Sequence, residues 1–100
     1  MTDWSIRSDT GCVEGKLFKT NGNIFNDYRS HRIVSVKKEN SKLYVVTSSS
    51  HVYLLSDTFT DNDYQGFANT SLKNYLKKNL PGIQIIDLNQ ENFEYTIPEN

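Results

Sequence analysis

Apolar and polar positions alternate in short runs along most of the chain, and that pattern predicts strands. Trp4–Ser5–Ile6–Arg7 reads as a short strand. Asp9–Thr10–Gly11 predicts a turn, with Gly11 free to take positive φ. Cys12 to Lys19 predicts a second strand, and Gly15 inside it a bulge or a close backbone approach. Thr20 to Ser30 reads as a loop that Ile24 and Phe25 pin to the core. Ile33–Val36, Leu43–Thr47 and Val52–Leu55 predict three strands joined by the polar turns Lys37–Ser41 and Ser48–Ser50. Strands with such short links form an antiparallel meander.

The period then changes. Thr58 to Gly66 is polar and acidic and reads as a loop. Asn69 or Thr70 can cap a helix by accepting backbone N–H bonds. Leu72, Tyr75, Leu76 and Leu80 share one helical face, with Lys73, Lys77 and Lys78 off it, and Pro81–Gly82 stops the helix. Ile83–Leu88 and Phe93–Ile97 read as two further strands, and Pro98–Asn100 as a frayed tail. The expected fold class is α+β: a mainly antiparallel sheet of five to seven strands with one amphipathic helix packed on it, in the C-terminal half. Residues 1–100 are expected to form a single domain.

Composition narrows the function classes. The chain has 100 residues and a net charge of −1, which argues against a strongly basic nucleic-acid binder. No run approaches the roughly 18 apolar residues of a membrane span. One cysteine excludes an internal disulfide, and the start Met1–Thr2–Asp3–Trp4 shows no signal peptide. A cytoplasmic location is expected, that of the host if the chain is viral. Charge is uneven: residues 1–56 carry eight Lys/Arg and five Asp/Glu, and residues 57–100 carry three and seven. The halves either neutralise each other or make the first half a weak anion-binding surface.

Candidate chemistry falls into a few clusters. Tyr28–Arg29–Ser30–His31–Arg32 places two guanidinium groups, a hydroxyl and an imidazole at the mouth of a strand, and arginine matches phosphate oxygens bidentately. Ser48, Ser49, Ser50 and His51 add donors, and Asn69–Thr70–Ser71 a helix start suited to an anion. If the three converge, they form a pocket for a phosphorylated small molecule; otherwise they are separate polar loops. Asp61–Asn62–Asp63–Tyr64–Gln65–Gly66 imitates the start of a calcium loop, but Leu72 stands where its last carboxylate should be. Cys12, His31 and His51 lack metal-ligand spacing, and no cofactor is called for. A nucleophile would be Cys12 or one of the three serines, with His51 as base and Asp57 as orienter. Lys37, Lys38 and Lys42, with Tyr44 or Tyr53, would be the nucleic-acid contacts.

The run Arg32–Val36, a turn, then Val45–Leu55, together with Trp4–Ser5–Ile6, Gly11 and Gly15, resembles in layout the phage-encoded anti-Thoeris sponges that sequester cyclic ADP-ribose signals. The resemblance covers about residues 4–55. It implies an antiparallel sheet with helical material after it, assembly as dimers or higher oligomers, and a non-catalytic binder of a phosphorylated nucleotide. The helical part is short here and strands follow it, which departs from that family's pattern.

The leading expectation is therefore a homo-oligomeric, non-catalytic protein that binds an anionic small molecule such as a cyclic nucleotide. Arg29 and Arg32 would neutralise phosphate. Ser49, Ser50, His51 and Asn69 would hydrogen-bond it, and Tyr28, Tyr64 or Phe67 would wall the base. The rival is a protein–protein inhibitor of anti-restriction or anti-CRISPR type. Its acidic second half, with Asp57, Asp61, Asp63, Asp87, Glu91 and Glu94, would meet a basic host protein.

Overall fold

A computed structural model describes residues 1–82 and 87–98. The elements run β1 (Thr2–Ile6), β2 (Cys12–Phe18), β3 (Ile24–Glu39), β4 (Lys42–Thr47), β5 (Val52–Leu55), α1 (Asn62–Asn79) and β6 (Phe93–Thr96). The strands pair antiparallel in the order β1-β2-β3-β4-β5. Ser35–Lys38 of β3 pair with β4 on one edge and with β6 on the other. The expected α+β class, mainly antiparallel sheet with one helix in the C-terminal half, is what forms.

The ends of the meander meet. The Met1 amino group donates to the Leu54 carbonyl at 2.6 Å, and the Ser56 N–H donates to the Met1 carbonyl at 2.9 Å. The Trp4 indole N–H reaches the Ser56 carbonyl at 2.8 Å. The sheet thus rolls until the chain start ahead of β1 lies beside the end of β5. Trp4, Val13, Ile33, Val36, Val45, Leu72 and Leu76 fill the interior, each at most 1% exposed.

Two glycines make this packing possible. Gly11 takes φ +74° in the turn between β1 and β2. A side chain on Gly15 would come within 2.8 Å of the Thr2 carbonyl and the Trp4 Cα, so this position is the expected close backbone approach.

β3 is longer than the sequence pattern predicts. The Thr20–Ser30 loop is strand from Ile24 onward, because Ile24 and Phe25 pair across with Phe18 and Leu17. Ile24 and Phe25 do not pin a loop to the core. They are 53% and 41% exposed on the hairpin. The register of β2 on β3 shifts twice, between Cys12/Glu14 and between Gly15/Leu17. At the first shift the Ser30 hydroxyl accepts the Val13 N–H at 3.0 Å and donates to the His31 carbonyl at 2.6 Å. A side chain there replaces a ladder bond.

The helix begins eight residues before the position the sequence pattern suggests. Asp61 is its cap, accepting the Asp63 N–H at 3.0 Å. Ala68 joins Leu72, Tyr75 and Leu76 on the buried stripe. Tyr75 donates to the Ile33 carbonyl at 2.9 Å, and the Ile6 N–H donates to the Ser71 hydroxyl at 3.0 Å, so α1 is stitched to β3 and β1. Of the predicted strand Ile83–Leu88, residues 83–86 lie outside the described residues, and Leu88 sits in a turn. Glu99 and Asn100 of the tail lie outside them too.

Candidate functional site

A cleft of roughly 650 Å³ opens where β1, β2 and β3 meet the start of α1. Its walls include Asp3, Glu14, Asp27 and Asp61 against a single guanidinium, Arg29, with Tyr28 and Tyr64 as aromatic faces. Arg29 is already paired: its Nε lies 2.6 Å from the Glu14 carboxylate, which Arg7 also approaches at 3.5 Å. The Asp3 carboxylate accepts the Thr60 N–H and the Thr60 hydroxyl, both at 2.8 Å. Those bonds, above all the backbone one, hold the Asp3 carboxyl below its ordinary range.

Three of the residues expected to bind ligand come together. Ser49 Oγ and His51 Nδ1 lie 3.0 Å apart, with Thr47 Oγ1 a further 2.9 Å from Ser49. The His51 ring stands edge-on to Tyr53, and the Tyr53 hydroxyl is 2.7 Å from that of Tyr28. Burial and the Tyr28 hydrogen bond push the Tyr53 phenol well above its ordinary range. Phe25 extends the row, its ring 6.2 Å from Tyr28.

The other residues do not join them. Arg32 sits beside the Tyr75 hydroxyl and Gly11, where it works against the burial that raises the Tyr75 phenol. Ser50 occupies the exposed turn with φ +66°. Asn69 is not at a helix start. It lies in the middle of α1 with its neighbours Thr70 and Ser71, whose backbone N–H groups are committed to helix bonds, so no anion site forms there. Asn69 lines a second cleft of roughly 530 Å³ with Trp4, Lys38, Lys42, Asp57 and Phe59. Asp57, the orienter expected for His51, lines that second cleft.

The remaining clusters dissolve similarly. Asp61 is a helix cap and Tyr64–Gly66 are helical, so no calcium loop forms. No group of three or more metal-ligating residues forms among the described residues. Lys37 pairs with Glu39 at 3.0 Å, and Lys38 donates to the Leu88 carbonyl at 2.7 Å, which occupies two of the three lysines expected to touch phosphates. Among the described residues no helix is long and apolar enough to cross a membrane.

The start of α1 carries an arrangement the sequence pattern hides. Phe59, Tyr64 and Phe67 form an aromatic row, with ring centroids 5.8 Å and 5.4 Å apart. Phe59 is buried, whereas Phe67 is 58% exposed. Asp61 and Asp63 lie between Phe59 and Tyr64 in sequence. Read as a loop, this segment showed only scattered aromatics. Read as helix, Asp63 and Phe67 stand one turn apart on one face.

No family model, curated protein or solved structure matches the chain.

Proposed function

We propose that the chain is a non-catalytic protein-binding module, and that its partner presents a basic surface with an apolar recess. One observation carries this reading: Phe67, 58% exposed, caps an aromatic row at the acidic start of α1. Buried aromatic anchors ringed by charge dominate binding energies at protein interfaces. The acids of the second half do not act as one surface. Glu94 lies opposite Lys37 in the β3–β6 ladder, and Asp57 lines the second cleft. Asp61 and Asp63 are the pair that stands near the exposed Phe67. An anti-restriction or anti-CRISPR inhibitor would be a protein of this kind.

A second reading, sequestration of a phosphorylated nucleotide, is favoured by the gathering of Tyr28, Ser49 and His51 around Tyr53. It is the weaker one, because Arg29 is bound to Glu14 and Arg32 stands apart at Tyr75.

Capture from cells that make the protein separates the two. Wild type and a Phe67→Ser/Asp63→Asn variant are compared, with far-ultraviolet circular dichroism to show equal folding. The protein-binding reading expects a salt-sensitive protein partner retained by wild type and lost by the variant. Equal retention by both proteins, or stabilisation of wild type by cyclic nucleotides with no protein retained, would overturn it.

A further inference from the structure

The β2–β3 hairpin extends past its support. The pairing of β1 on β2 stops at Lys16, and that of β4 on β3 starts at Ile33. Beyond those points the pairs Leu17↔Phe25 and Phe18↔Ile24 belong to a two-stranded arm. Neighbouring strand residues point to opposite faces. The arm therefore carries Phe18 with Ile24 on one face and Leu17 with Phe25 on the other. Phe18, Ile24 and Phe25 are 51%, 53% and 41% exposed. Lys16 lies 5.5 Å over the Phe18 ring, and Lys19 lies 4.9 Å over the Phe25 ring. The tip, from Lys19 to Asn23, contains no acid.

The cleft of roughly 650 Å³ has the opposite character. Asp3, Glu14, Asp27 and Asp61 line it against the one guanidinium of Arg29, which Glu14 takes up, with Tyr28 and Tyr64 also in the lining. Two of these wall residues, Asp27 and Tyr28, belong to the base of the same arm. Lys19 and Asp27 make no ion pair among the described residues. A basic, aromatic finger thus stands next to an acidic, aromatic recess on one chain. Two such surfaces side by side are self-complementary under a two-fold axis, which pairs each arm with the other copy's cleft.

We infer that the occupant of the cleft is the arm of a second copy of this chain, so that the protein is a two-fold dimer held by reciprocal arm exchange. Phe18 or Phe25 enters between Tyr28 and Tyr64, and Lys19 approaches the Asp27 side of the recess. Phe67 and Asp63 are not among the residues lining the cleft. Asp61 and Tyr64 are shared by the cleft and the start of α1, so the two readings are told apart at Phe67 and Asp63, whose substitution should leave the dimer intact.

Sedimentation velocity on the full chain, over a wide range of concentration, tests the inference. The wild type should sediment at twice the 11.5 kDa chain mass. Phe18→Ser/Phe25→Ser, Lys19→Glu and Asp27→Lys should each weaken the dimer roughly tenfold or more. Mixing Lys19→Glu with Asp27→Lys restores opposite charge at both arm–cleft contacts, so the mixture should regain the dimer mass. A wild type that stays monomeric at every concentration overturns the inference. So does a dimer indifferent to the arm substitutions, or a mixture of the two charge variants no better associated than either alone.

Discussion

The Asp3 carboxylate clasps Thr60 through two hydrogen bonds of 2.8 Å, joining residues 57 positions apart in the chain. Asp3 itself takes φ +51°, a conformation that Asn and Asp tolerate better than other side chains, at an irregularity in the β1–β2 pairing. Thr60 immediately precedes the helix cap Asp61. The clasp therefore fixes where α1 starts relative to β1.

Its pH dependence follows from the charge. The folded Asp3 carboxyl lies below its ordinary value, which is also its value in the unfolded chain. The stabilisation is fully present above the ordinary carboxylate range and is lost as pH falls through the lower, folded value. Asp3→Asn keeps the backbone preference and one acceptor but removes the titration. Its stability should change less than that of wild type across the acid limb, as read by urea unfolding at a series of pH values. An identical acid slope in both proteins would show that the clasp is not charge-dependent.

The helix start gives a sharper test. Asp61→Ala should destabilise by about 1 kcal/mol, while Asp61→Asn should be close to neutral, since Asn caps as well as Asp. Asn69→Ala and Thr70→Ala should not behave as cap losses, because both residues are inside α1. Chemical denaturation of the four variants decides between a helix beginning at residue 62 and one beginning near 70.

That difference shows which parts of the fold are legible in the sequence. The meander Ile33–Leu55 and the face Leu72–Tyr75–Leu76 follow from periodicity, because each buries one side against a single core. The first half of α1 does not. Gly66 disfavours helix by about 1 kcal/mol relative to Ala, and polar residues surround the aromatics. Its helicity comes from tertiary contact of Tyr64 and Ala68 with the core. Ile24 and Phe25 mislead in the other direction. Apolar character usually marks burial, yet here it marks an exposed arm. For the site, Tyr28, Ser49 and His51 were visible as residue types. The residue that joins them, Tyr53, reads as an exposed stacking aromatic, whereas the fold buries it to 9% exposure. The partner of Arg29 was hidden as well, because the Glu14↔Arg29 pairing depends on a register that bulges shift twice.

Core substitutions should separate packing from surface electrostatics. Leu72→Ala removes a fully buried side chain and should cost about 2–5 kcal/mol. Gly15→Ala forces a Cβ against the backbone of Thr2 and Trp4 and should cost about 1–3 kcal/mol. Arg29→Ala breaks an ion pair whose side chains are 56% and 31% exposed, and should cost at most about 1 kcal/mol. Thermal unfolding of the three variants should rank them with Arg29→Ala the mildest.

Native mass spectrometry of the protein, isolated under gentle conditions from cells in which it acts, tests the central claim most directly. The account predicts complexes in which this chain carries a second protein and no nucleotide, with that protein absent when the bait is Phe67→Ser/Asp63→Asn. A retained small mass of nucleotide size, released intact on denaturation and present on both baits, would contradict it.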